Sequence, residues 1–148
     1  TIGHTRDSFS YIIDNELMLC SETVGVMGPK GGYMPSFLVD YLGAEESIRR
    51  SRAYPVKEII LNHHGPVREP DRARIWDFLQ EKLTESRETM LSVMNECSSD
   101  DEALKELERI FHSHVDKKEQ PDEAFYINAA SMMRTLRRQF PERLLRKA

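Results

Sequence analysis

Three short stretches place imidazole and carboxylate side chains beside segments that read as strands. His4 lies in GHT just ahead of SFSYII (8–13), Glu22 in SETVG just after LMLC (17–20), and His63 and His64 in NHHGPV just after VKEIIL (56–61). Imidazole nitrogen and carboxylate oxygen are the donors that hold zinc, iron or manganese. Side chains at the ends of strands in one sheet share an edge where an ion can reach them. An acid closing an apolar run is badly placed for packing and well placed for such an edge. Gly65 and Pro66 turn the chain after the histidine pair and leave an imidazole exposed. His112 and His114, two apart at a predicted helix end, point to different faces and are expected to be solvated.

The elements that would position these groups follow from periodicity. SFSYII and LMLC alternate as a hairpin with its turn at Asp14 and Asn15. Residues 25–35 hold four glycines and two prolines, which predicts an irregular loop bordering the site, with Met27 and Tyr33 lining a pocket. Ser36 is a candidate N-cap for a helix to about Arg52 that buries Phe37, Leu38, Tyr41, Leu42 and Ile48, and VKEIIL reads as a buried strand. From Pro70 a 3.6-residue period takes over. Ile75, Leu79, Leu83, Met90 and Met94 mark one long helix. Ser99 and Glu102 have the capping-box spacing and open a second helix to near Val115, with Leu104, Leu107, Ile110 and Phe111 inward. A third helix, from about Asp122 to before Pro141, turns Phe125, Ala129, Met133 and Leu136 inward. The fold class is α+β, with a boundary at about residue 69 between a strand-rich part (1–69) and a helical extension (70–148) packing on it.

Composition narrows the function classes. A chain of 148 residues has the length of one domain, and 39% hydrophobic residues suffice for a core. The formal charge of −4 is spread about equally over the two parts, so no basic field points to nucleic acid. No apolar run approaches the roughly 20 residues that cross a bilayer, so no membrane partner is expected. Cys20 and Cys97 are the only cysteines and form no CxxC, which fits a reducing, cytoplasmic setting. The chain opens on Thr1 with a metal-type motif in its first four residues, which predicts that a supporting segment precedes it.

The run GHTRDSFSYIIDNELMLCSETVG resembles the metallo-β-lactamase superfamily, in which a GHT histidine opens a hairpin and an acid follows it. NHHGPV is similar to that superfamily's final GHG turn, and PSFLVDYLGAEESIRR to the helix between the acid and that turn. The resemblance implies that residues 1–69 are the second half of an αββα sandwich, followed by about three α-helices like the extensions of the thioesterase-like and lactonase-like branches. It implies His4, Glu22 and His64 as metal ligands, with Glu22 as the metal-bridging acid. His64 is chosen over His63 because Gly65 then matches the glycine that follows the family's histidine. Beside these, His63 reads as an outer-shell or pocket residue, Met27 and Tyr33 as pocket lining or as apolar packing under the sheet, and Asp7, with Arg6, as a solvated surface pair or an outer-shell pair.

The implied cofactor is zinc, as one or two ions, with iron or manganese as alternatives. The implied reaction is hydrolysis of a small-molecule ester, thioester, lactone or phosphodiester by metal-activated water. Glu stands at position 22 where the family usually has Asp, which bears on whether two ions are held. The family's HxHxDH motif, the source of most first-metal ligands, occurs nowhere in the 148 residues. The half that carries it is thus an expected partner, no catalytic residue is assigned here, and the chain alone is expected to be a poor or inactive catalyst. The alternative is a non-catalytic module whose helices mediate homodimerisation or partner binding beside a residual metal site. A redox di-iron member of the fold ranks last, since no flavin-binding motif is present.

Overall fold

A computed structural model describes residues 1–28, 32–34 and 36–145. The expected hairpin is present, with β1 (Tyr11–Ile13) antiparallel to β2 (Leu17–Leu19). Asp14 and Asn15 both have positive φ, 52° and 56°, and the Glu16 N–H donates to the Ile13 carbonyl at 2.9 Å. Two successive left-handed residues match the twist of a hairpin, and Asp and Asn accept that conformation more readily than most side chains.

The described part of the glycine-rich stretch holds regular structure that its composition does not predict. Within it β3 (Val26–Met27) pairs antiparallel with β4 (Tyr33–Met34); positions 29–31 and 35 of the expected loop lie outside the described residues. The following helix, α1 (Tyr41–Arg52), starts later than Ser36. Its N-cap is Asp40, whose carboxylate accepts the Gly43 N–H at 2.9 Å. The later start turns the face: Tyr41, Ala44, Ser47 and Ile48 are buried while Leu42 is 48% exposed. The next strand, β5 (Glu58–His63), also begins two residues late and ends on His63, and β6 (Gly65–Pro66) folds straight back on it.

These strands form a mixed six-stranded sheet in the order β1-β2-β5-β3-β4, with β6 also paired to β5. Strand β5 runs parallel to both β2 and β3, through Leu17↔Glu58 to Leu19↔Ile60 and through Val26↔Asn62 and Met27↔His63. The register separates two faces. Met18 and Ile59 are paired and buried, at 1% and 4% exposure. Tyr11, Leu19, Ile60 and Pro66 align across four strands on the opposite face. That face stays open, with Tyr11 62%, Ile13 44% and nearby Phe9 68% exposed.

After a 3-10 turn (Asp71–Arg74) comes α2 (Ile75–Glu96), in which the predicted Ile75, Leu79, Leu83, Met90 and Met94 are all buried. Residues Thr1–Ser86 form one compact unit and Arg87–Ala148 another, so the division falls inside α2 and not at the composition change near Pro70. The physical reason is the packing of the first turns of α2. Phe78 stacks on Tyr33 at 6.0 Å, Asp77 pairs with Arg52 at 2.6 Å, and a Cβ added to Gly25 would come within 2.4 Å of Leu79.

The second unit continues with α3 (Asp100–Leu107), a π-helical turn (Glu108–His112), α4 (Asp122–Gln139) and a short 3-10 turn (Pro141–Arg143). Ser99 caps α3 by accepting the Glu102 N–H at 3.2 Å, as the capping-box spacing predicts; Glu102 reaches back to the N–H of Ser98, at 2.6 Å. Phe125, Ala129, Met133 and Leu136 are buried as expected. His112 is not solvated. It is 3% exposed, stacks on Phe125 at 4.7 Å, and its Nε2 lies 3.0 Å from Asp122 Oδ1. The π turn, closed by the Ser113 N–H on the Glu108 carbonyl at 2.9 Å, inserts one residue per turn. That rotates the inward face by one position, so His112 occupies the place a 3.6-residue period would give Phe111, and Ile110 and Phe111 are only half-buried; Leu104, ahead of the turn on α3, is half-buried as well, with Ala103 and Leu107 inward in its place.

The Asp40 cap is testable alone. Asp40→Ala is expected to lower stability by about 1 kcal/mol, with Asp40→Asn retaining most of it, as read by urea denaturation.

Candidate functional site

The turn after β2 is where the strand-edge groups converge. The chain leaves β5 at Cys20, whose N–H donates to the Ile60 carbonyl at 2.9 Å, and returns at Val26, opposite Asn62. The residues between them form an excursion carrying Glu22. The Asn62 side chain closes it at the base: assigned from its surroundings with the amide nitrogen toward the Cys20 carbonyl (3.1 Å) and the oxygen toward the Glu22 N–H (3.0 Å), it donates to the first and accepts from the second. Ser21 O accepts the Val24 N–H at 3.0 Å, and Ser10 Oγ accepts the Ser21 N–H at 3.0 Å. Glu22 therefore sits on a turn held from within, from β5 and from the residue ahead of β1.

His4 reaches this turn from an irregular segment ahead of β1. Its N–H donates to Thr23 Oγ1 at 2.9 Å, which ties its backbone to the residue next to Glu22. Gly3 makes the approach feasible: a Cβ there would lie 2.5 Å from Thr23 Cγ2 and 2.8 Å from Ala44 Cβ. The Gly3 carbonyl also accepts the N–H groups of Val39 and Asp40, at 2.9 and 3.1 Å, which fixes the segment to the start of α1. On the imidazole, Nδ1 is hydrogen-bonded to Ser36 Oγ and Nε2 stands 3.2 Å from Glu22 Oε2.

His63 arrives from the other side. In an extended strand it would share the buried face of Ile59 and Leu61. Its φ of 77° takes it off that alternation, a left-handed conformation that costs a non-glycine residue about 1 kcal/mol or more. The imidazole is half exposed, with Nε2 3.5 Å from Glu22 Oε1. His64 is exposed on the turn between β5 and β6. Of the expected residues, the structure thus brings His4, Glu22 and His63 together, each imidazole facing its own carboxylate oxygen.

A cleft of about 360 Å³ opens beside this group, lined by His4, Glu22 and Asn62 together with Phe9, Tyr11 and Leu19. Met27 is buried opposite His63 in the β3–β5 register, and Tyr33 is turned to Asp71, donating at 2.9 Å. Burial, with the Asp71 hydrogen bond behind it, pushes the Tyr33 phenol up to about 12. Asp7 is exposed, as is Arg6 beside it. Cys20 lies at the cleft but is 5% exposed, and burial pushes its thiol up to about 12, so it holds its proton at neutral pH.

Donor type and pairwise spacing suit a cation. Two ligands of a tetrahedral zinc, each about 2.0–2.1 Å from the ion, lie about 3.3 Å from one another, against 3.2 Å for His4–Glu22 and 3.5 Å for His63–Glu22. Among the described residues, however, no group of three or more His, Cys, Asp or Glu side chains is arranged to hold a metal ion. The fit is that of two ligand pairs sharing a carboxylate, and it does not make a closed site. No protein-family model matches the chain, and no curated protein matches it.

Sequence reasoning missed these roles of Gly3, Thr23, Ser36 and Asn62, which position His4 and Glu22 without being donors of the expected kind. The one available signal was Asn62, a polar residue closing an apolar strand directly before the histidine pair.

Two outcomes are expected. Gly3→Ala should cost about 1–3 kcal/mol by overpacking against Thr23 and Ala44, seen as a lower midpoint in urea together with shifted His4 ring resonances. Cys20 should resist iodoacetamide at pH 8 in the native protein and react once the chain is unfolded, as read by mass spectrometry.

Proposed function

We propose that His4, Glu22 and His63 are this chain's share of a two-ion centre in a metal-dependent hydrolase of the metallo-β-lactamase type, with zinc as the default ion. The observation that carries the reading is the Glu22 carboxylate, with Oε2 toward His4 and Oε1 toward His63, the disposition of a bridging acid with one imidazole per ion. His63 takes the ligand role on this reading, and His64 a place at the rim. The bound ions would lower the pKa of a water to near neutrality and polarise a carbonyl or phosphoryl oxygen. The chain's own residues orient: Asn62 and Thr23 hold the turn and His4 in place, and the cleft walled by Phe9, Tyr11 and Leu19 receives part of a small-molecule substrate.

The remaining ligands on this reading come from residues outside these 148, as does the layer that would cover the open sheet face. Aligned Tyr11, Leu19, Ile60 and Pro66, with exposed Phe9 and Ile13, form an apolar surface of the kind a second sheet buries in a sandwich. Residues 1–69 are accordingly proposed as half of an αββα sandwich. The second reading, a binding module, draws on the same face and requires no ion. Among the described residues no helix is long and apolar enough to cross a membrane.

Zinc titration against a chromophoric chelator separates the readings. Measurable binding by the 148-residue chain is expected, with Glu22→Gln and His63→Ala each costing more than the roughly 10–100-fold typical of losing an outer-shell partner, and His64→Ala costing less. A longer protein supplying an HxHxDH segment is expected to bind two ions and hydrolyse a thioester, lactone or phosphodiester. A longer protein that is metal-loaded and inert on all three, or a chain whose affinity is unmoved by Glu22→Gln, would sink the hydrolase reading.

A further inference from the structure

We infer that Ser36 is a positioning residue for His4, a hydroxyl that holds the ring through Nδ1 in both of the hydrogen-bonding states His4 has to adopt; this rests on the metal reading above. The motivating fact is where Ser36 goes. Sequence makes it a helix cap, yet that role belongs to Asp40, and the Ser36 hydroxyl is bonded to an imidazole 32 residues away in sequence. The bond is part-buried and spans the segment ahead of β1 and the segment ahead of α1.

The reasoning is one of donors and acceptors. With Nε2 facing the Glu22 carboxylate, an acceptor when ionised, Nε2 carries the hydrogen and neutral His4 must accept at Nδ1. With Nε2 giving its lone pair to a cation, the hydrogen resides on Nδ1, which must then donate. A carboxylate or a backbone carbonyl in the place of Ser36 could serve only the second state, and a backbone N–H only the first. A hydroxyl rotates and serves both. On passing between the two, one proton leaves Nε2 for solvent and one is taken up at Nδ1, so the ring stays neutral and Ser36 keeps its own hydrogen throughout. Of the other contacts of His4, its N–H on Thr23 fixes the backbone alone, and Glu22 meets the ring at Nε2, the atom a cation would take, so Ser36 is the contact that holds the ring in both states.

The test compares wild type, Ser36→Ala and Ser36→Thr as full chains, by long-range ¹H–¹⁵N spectra of the histidine rings without metal and by zinc affinity in chelator competition. Wild type is expected to show one His4 tautomer without metal, protonated at Nε2, and the other with zinc. Ser36→Ala should keep the Nε2-protonated form that Glu22 sets, with the His4 Nδ1 resonance shifted by loss of its hydrogen-bond partner, and bind zinc about 10–100-fold more weakly, and Ser36→Thr, which keeps the hydroxyl, should restore both. A Ser36→Ala protein with wild-type ring spectra and zinc affinity overturns the inference, as does failure of Ser36→Thr to restore a folded protein's values. Wild type that binds no zinc overturns the metal reading instead, and the metal-free spectra of the three proteins then decide the role of Ser36 on their own.

Discussion

Asn62 places a side-chain amide on an otherwise apolar strand, and that amide holds the turn on which the candidate site depends. Its two hydrogen bonds, to the Cys20 carbonyl and the Glu22 N–H, take up backbone groups that the excursion between β2 and β3 leaves without a strand partner. A backbone group left unpaired away from water costs on the order of 1–3 kcal/mol. Satisfying two of them from one side chain lets the chain step away from β5 and return two residues further along. Without that step Glu22 would be one more residue of a strand, and its carboxylate would have no reason to face two histidines from different elements.

The carboxylate then acts as the organising charge of the edge. It is about one-third exposed, between a more buried His4 and a more exposed His63. Water screens such contacts, so they add little to stability. Their weight is geometric, since they orient three donor side chains toward a common space beside a cleft. The left-handed His63 fits this account. Its backbone departs from strand geometry at the place where continuing the alternation would have turned the ring into the core, and strain of this kind persists where the surrounding structure holds it in place.

The rest of the first unit supports that edge from behind. Helix α1 anchors the Gly3 carbonyl through its N-terminal region, and the first turns of α2 lie against Gly25, Tyr33 and Arg52. The second unit has its own core, from Met90 through Leu107 to Leu136, with a buried histidine at a π turn. One helix thus contributes its beginning to one unit and its end to the other, which composition, changing near Pro70, does not reveal.

Periodicity alone carried the helices of the second unit and the β1–β2 hairpin, because burial of an apolar stripe and left-handed tolerance at Asp14 and Asn15 are local properties written in adjacent residues. The types of the strand-edge donors were legible for the same reason: His4, Glu22 and the NHH pair stand beside apolar runs. Which of the two histidines faces Glu22 was not legible, since it follows from the φ of one residue and from the two-residue shift of β5. The roles of Ser36, Asn62, Thr23 and Gly3 were likewise beyond the sequence. Each depends on a contact between segments distant along the chain, and only the folded sheet brings those segments within hydrogen-bond reach.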